Sequence, residues 1–177
     1  MQQWPGSVAP VRQLLLREVA LPHLRRLVDD LGETANLMVL SGVDVRFVAT
    51  VECDQILRVG DRTGRTLPAH RSSGGKAVLA TLTPDDLADA VVGLEQPILA
   101  RLQRELRTVR RRGYAVNDQE TETGLIAVGA AVPTAAGAPA AGISVALPRA
   151  RWSRDRLPEW GTAVAAAARA IGDDLAA

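Results

Sequence analysis

The sequence predicts an α+β domain, an antiparallel β-sheet flanked by helices. Three observations carry this expectation. First, Val45, Phe47, Ala49 and Val51 alternate with Arg46, Val48, Thr50 and Glu52, which gives one apolar face and one mixed face at the period of a strand. Second, the apolar runs 125–132 and 140–147 are joined by Pro133-Thr134-Ala135-Ala136-Gly137, the composition of a hairpin loop. Third, apolar residues recur at intervals of three and four over 98–109 and again over 157–175, the spacing of helices with one buried stripe.

The remaining elements follow in chain order. Residues 1–10, with Pro5, Gly6 and Pro10, read as a loose arm. Leu14 and Leu15 belong to a helical turn or two, and Pro22 breaks or starts a helix that runs on to Leu31. Gly32 ends that helix. Strands are expected at 35–40 and 44–52, paired as a hairpin through Ser41-Gly42-Val43-Asp44, with a further short strand at Ile56–Val59. Residues 60–68 read as a loop. A Ser/Gly turn then opens a helix over 70–80. Thr83 caps the next helix, with Pro84 at its first position and Asp85 and Asp86 in its first turn. The stripe from Ile98 to Val109 ends in Arg110-Arg111-Arg112 and is stopped by Gly113. Asn117-Asp118-Gln119-Glu120 reads as a polar turn offering amide and carboxylate groups at a strand edge, and 158–176 as an Ala-rich amphipathic helix.

Composition excludes several classes. The chain has 177 residues and a net charge of +1, which suits one domain without a broad nucleic-acid-binding face. It is 47% hydrophobic and 23% charged, too apolar for a disordered chain. A mean hydropathy of +0.04 and the lack of any long apolar run exclude a membrane span. One cysteine, Cys53, excludes a disulfide scaffold and a structural zinc site, and reads as a small buried hydrophobe. No basic segment followed by an apolar one opens the sequence, so a cytoplasmic location is expected.

The motifs that could carry chemistry are few. Ser72-Ser73-Gly74-Gly75 ahead of a helix has the makings of an anion site, through backbone N–H groups and the helix dipole. More commonly it is the composition of an ordinary cap with glycines for tight packing. A nucleotide P-loop fails, because Ala77 stands where Ser or Thr is needed. His70 lies near two serines, but no Gly-x-Ser-x-Gly elbow exposes a nucleophile. His23 and His70 without clustered carboxylates do not make a metal site. Arg107, Arg110, Arg111 and Arg112 offset a helix dipole rather than face a DNA groove. Trp152 and Trp160 read as core or interface residues under the last helix. No cofactor, no metal and no catalytic residues are expected.

Taken in order, these pieces resemble the effector-binding domain of the IclR family of bacterial transcription regulators. Leu24–Leu31 followed by Gly32-Glu33-Thr34 resembles the family's helix, Gly-Glu-Thr and strand opening. Leu67-Pro68-Ala69-His70-Arg71-Ser72-Ser73-Gly74-Gly75-Lys76-Ala77 resembles its Gly-Lys-Ala segment. Arg112-Gly113-Tyr114-Ala115 with Asp118-Gln119-Glu120 and Gly124-Leu125-Ile126-Ala127, and then 140–148, resemble the segments that close the domain. The resemblance is collinear over about residues 20–176.

It implies a GAF-like or profilin-like fold and a non-enzymatic, ligand-sensing role. The domain would bind a small organic or aromatic acid, assemble as a homodimer or homotetramer, and reach DNA only through a winged helix-turn-helix that this chain lacks. Residues 1–19 would be a linker or residual helix and 20–177 the effector-binding domain, either cut from a longer regulator or naturally truncated. Carried over residue by residue, the pocket's apolar wall falls on Ile56 and Val59, its backbone donors on Ser73 and Gly74, and its floor on Asn117, Ala127, Ser144 and Ala146. Asn117 replaces an acidic residue, and Ala127 and Ala146 stand where Cys and Ser can occur, so the pocket should be roomier and less polar than one built for a tiny carboxylate. Arg58 and Arg71 are the candidate anion partners. The alternative role is an oligomerisation module with a vestigial pocket.

Overall fold

The computed structural model describes residues 10–133 and 141–177. The arm before residue 10 and the expected loop after Pro133 lie outside the described residues. In chain order the elements are α1 (Pro10–Leu31), β1 (Thr34–Ser41), β2 (Asp44–Val51), β3 (Thr66–Pro68), α2 (Ser73–Leu79), α3 (Pro84–Ala90), α4 (Gln96–Arg112), β4 (Ala115–Asp118), β5 (Leu125–Ala131), β6 (Ala141–Pro148) and α5 (Leu157–Ala176). The six strands form one sheet in the order β3-β2-β1-β6-β5-β4, with every neighbouring pair antiparallel.

Both faces of the sheet are covered. On one face α1 contributes Leu16, Ala20, Leu24 and Leu27, and α5 contributes Trp160, Val164, Ala168 and Ile171. On the other face α2, α3 and α4 pack through Val78, Ala90, Leu102, Leu106 and Val109. The central strands are therefore buried on both sides, which explains why β1, β5 and β6 read as continuous apolar runs.

Several expectations are corrected. α1 is one helix of 22 residues that runs through residue 20 with Pro22 inside it. Proline removes one helical hydrogen bond, but burial of Ala20, Leu24 and Leu27 on both sides of it holds the helix together. Ile56–Val59 is not a strand; residues 52–65 form a loop tied back to β1 and β2. Thr34 Oγ1 donates to the Val59 carbonyl at 2.7 Å, and the Arg62 amide donates to Thr50 Oγ1 at 3.2 Å. The strand in this region is instead β3, which pairs with β2 at the sheet edge. Asn117 and Asp118 belong to β4, and the turn begins after them.

The expected single apolar face of β2 is interrupted by a β-bulge. Leu37 pairs with Ala49, but Met38 pairs with Phe47, so Val48 and Ala49 together oppose one residue. Val45 and Phe47 pack on the α2 side, whereas Val48, Ala49 and Val51 pack on the α1 side. The phase shift brings Thr50 opposite Asn36, and Thr50 Oγ1 donates to Asn36 Oδ1 at 2.9 Å.

Candidate functional site

The turn that opens α2 lies directly on the sheet, and glycines make this possible. A Cβ on Gly129 of β5 would fall 2.4 Å from the Gly74 nitrogen, and one on Gly142 of β6 would fall 2.8 Å from the Gly74 carbonyl oxygen. A Cβ on Gly74 itself would meet Met38 Sδ at 2.4 Å. Backbone thus touches backbone at this crossing. Ser72 caps the helix, its hydroxyl accepting from the Gly75 amide at 2.9 Å. The next residue, Ser73, is thereby set over the centre of the sheet.

Beside this crossing is a pocket. Its apolar lining is Met38, Phe47, Leu67, Leu125, Ala127 and Ala146; its polar lining is Asn36, Arg62, Ser72, Ser73, Asn117, Thr121 and Ser144. The cavity is about 20 Å³, room for roughly one water. It is therefore smaller and more polar than the sequence led us to expect, because Asn36, Arg62 and Thr121 enter it from elements outside the expected set.

Asn36, Ser73 and Ser144 are each at most 3% exposed. Asn36 and Ser144 sit directly opposite each other on β1 and β6. Asn36 Nδ2 and the hydroxyls of Ser73 and Ser144 have no protein hydrogen-bond partner among the described residues, while Asn36 Oδ1 is held by Thr50. These polar atoms border the cavity, where a polar molecule can complete their hydrogen bonds; the one fully sealed side-chain polar atom without a partner among the described residues is Trp160 Nε1, away from this site. Asn117 differs. Its Nδ2 donates to Thr121 Oγ1 at 2.7 Å and its Oδ1 accepts from the Glu120 amide at 2.8 Å, so it is committed to shaping its own turn.

Of the other carried-over residues, Ala127 and Ala146 form the floor, paired across β5 and β6. Val59 packs against Leu125, Ala127 and Ala146 without itself lining the cavity. Gly74 serves the helix–sheet crossing and is likewise not in the lining. Ile56 is fully exposed and contributes no wall, since the loop lacks the strand alternation that would turn it inward.

Neither expected anion partner lines the pocket. Arg58 Nε pairs with Glu52 at 3.4 Å, and Arg71 donates to the Glu120 carbonyl. The arginine in the pocket wall is Arg62. Its two terminal nitrogens bind Glu122 at 2.8 and 3.0 Å, joining the β2–β3 loop to the β4–β5 turn. Its hydrogen bonds hold the Glu122 carboxyl below the usual 4.5, with the Arg62 and Arg65 charges adding to the effect against partial burial. No local pattern flags Arg62. Asn36 had a signal, a lone amide inside the run Ala35 to Leu40.

Lys76, the single lysine, stands one turn beyond Ser73 and is fully buried. Its Nζ donates to Glu105 of α4 at 2.6 Å and to Glu120 at 2.5 Å, and Arg101 reaches the other Glu120 oxygen at 3.3 Å. This network anchors the turn that carries Thr121 and Glu122. His70, just ahead of α2, has its pKa lowered from 6.5 by burial, with the adjacent Arg71 charge acting the same way.

A family model described as "Bacterial transcriptional regulator IclR C-terminal" matches residues 8–173. The transcriptional regulator BhcR of Paracoccus denitrificans is 36% identical over 176 residues, covering 94% of this chain and 62% of that protein. The transcriptional repressor AllR of Klebsiella pneumoniae is 35% identical over 87% of this chain and 60% of its own length. The chain thus spans about three fifths of these curated relatives. Among solved structures, a transcriptional regulator from Rhodococcus superposes with a TM-score of 0.84 at 32% identity, covering 91% of this chain and 68% of the other. An IclR homologue from Microbacterium hydrocarbonoxydans, solved in complex with 4-hydroxybenzoate, gives 0.78 at 25% identity, over 98% of this chain and 71% of its own.

Proposed function

Since the chain belongs to the family of bacterial IclR-type transcriptional regulators, in the part that forms their C-terminal domain, we propose that it is a ligand-sensing domain for a small organic acid. The observation that carries this is the unfilled set of donors, Asn36 Nδ2 and the Ser73 and Ser144 hydroxyls, around one small cavity. A carboxylate or hydroxyl bound there gives partners to cavity-facing groups that make no hydrogen bond to the protein. The relatives are transcriptional regulators, and one homologue is a complex with an aromatic acid. In a whole regulator, a ligand that favours one arrangement of the assembled subunits would shift DNA binding by a winged helix-turn-helix, with the domain assembling as a homodimer or homotetramer in the cytoplasm.

The pocket joins α2, both halves of the sheet and two connecting segments, so its filling bears on how these parts sit together. A thermal-shift screen of small aliphatic and aromatic acids tests the reading, with Asn36→Leu and Ser144→Ala as controls. Stabilisation of the wild type that both controls lose supports it. Equal stabilisation of all three places the ligand elsewhere.

The small cavity favours a second reading, an oligomerising module with a vestigial pocket. That reading expects no stabilisation by any acid and a concentration-dependent assembly by light scattering.

A further inference from the structure

Arg62 is the one charged residue in the pocket lining among the described residues. Its side chain is only 12% exposed, and both arms of its guanidinium are occupied by Glu122. A guanidinium fork fits any carboxylate in the same two-pronged way, so a small acid inside the pocket competes for the atoms that Glu122 now holds. We propose that Arg62 selects anionic ligands by exchanging partners: the carboxylate of an entering acid takes the guanidinium from Glu122, and the same movement opens the cavity. This inference rests on the pocket being the ligand site.

The cavity requires such a movement. At about 20 Å³, room for roughly one water, it must widen to take an acid of five or more heavy atoms. The floor and the α2 side cannot give way easily. Ser144, Ala146 and Ala127 are on central strands, and Ser73 is fixed where Gly74 presses on Gly129 and Gly142. The wall that carries Arg62 is different. It is the 52–65 loop, which has no regular element and exposes Ile56 and Leu57 to solvent. Thr34 and Thr50 hold it to β1 and β2, and the Arg62–Glu122 pair joins its side-chain wall to the β4–β5 turn.

Glu122 is not stranded by the exchange. Its carboxylate is 48% exposed and also feels the charge of Arg65, so water and a second arginine replace what Arg62 withdraws. The ligand's other end meets Asn36 and Ser144, which are neutral and accept a hydroxyl, a carbonyl or a ring edge. Charge is thus read at the loop and shape at the sheet.

Calorimetric titration of the wild type, Arg62→Gln and Glu122→Gln tests this with acetate, lactate, benzoate and 4-hydroxybenzoate, each beside its neutral amide. For the acids that the wild type binds, Arg62→Gln is expected to weaken binding about ten-fold or more, as loss of a charge-assisted fork should. Glu122→Gln is expected to tighten binding about three- to ten-fold, because Arg62 no longer has to leave an ion pair. The amides should respond to neither change. Acid affinity unchanged in both variants, or an amide bound as well as its acid, overturns the proposal. Loss of binding in Asn36→Leu but not in Arg62→Gln overturns it while leaving the pocket as the ligand site. If no acid in the panel binds the wild type, this proposal and the ligand-sensing reading fall together. Should Arg62→Gln not fold, Glu122→Gln decides alone, since it keeps Arg62 in place.

Discussion

Gly129 of β5 has no room for a methyl group, because the Gly74 nitrogen would lie 2.4 Å from it. The atoms in the way are backbone, which cannot rotate aside. Gly129→Ala is therefore expected to lift α2 off the sheet and to cost about 1–3 kcal/mol or more of stability. Urea denaturation would read this as a lower midpoint. Gly93→Ala is the contrast. Gly93 has a φ of +82° with nothing near its Cβ, so that change meets backbone strain alone and is expected to cost only about 1 kcal/mol.

Lys76→Met removes the cation between Glu105 and Glu120 and leaves two carboxylates facing each other in a partly buried site. Breaking a buried ion pair by deleting one partner costs about 3–5 kcal/mol. Glu120→Gln should cost less, since Lys76 keeps Glu105. Paired chemical melts of the two variants would show the order.

Thr50→Val tests the bulge in β2. The hydroxyl at this position joins Asn36 to the Arg62 amide. Its loss should destabilise the protein by about 1–2 kcal/mol and speed hydrogen exchange at the Arg62 amide. Had β2 alternated regularly, Thr50 would face away and valine would be harmless. An unchanged melt together with unchanged exchange would contradict the bulge.

Stability should fall in two stages on acidification. Burial, with the adjacent Arg71 charge, pushes the His70 pKa below 6.5. Its contribution is complete above pH 6.5 and is lost as pH drops through the folded value. Glu122 is held ionised by Arg62, so its contribution is complete above 4.5 and is lost as pH falls through its lower folded value. The Glu122 stage is small, under about 1 kcal/mol, because the carboxylate is half in water. Thermal melts from pH 8 to pH 3 should show His70→Asn flattening the first stage and Glu122→Gln the second.

The elements legible in the sequence were those whose burial is periodic. The stripes of α4 and α5, the runs of β5 and β6, and the Ser72 and Thr83 caps all followed from local pattern. β3 and β4 were missed because short edge strands have three or four residues, too few to establish an alternation. The bulge was hidden because Val48 is apolar and suits either face. Of the site, the floor at Ala127, Ser144 and Ala146 and the Ser73 edge were anticipated by resemblance. Arg62, Thr121 and Asn36 come together only through the sheet order, which no single stretch of sequence contains.

That sheet order also bears on how the molecule acquires its shape. β1, near the start, is seated between β2 and β6, and α1 lies beside α5 from the other end of the chain. The first hairpin can close locally, but its partner strand leaves the ribosome only after most of the polypeptide has been made. Contacts between such distant segments carry a large loop-closure cost and form late. Until then Asn36 has no Ser144 opposite it and the cavity does not exist. A nascent chain that stops before β6 therefore has β1 bare on one edge and no Ser144 or Ala146 to line the cavity.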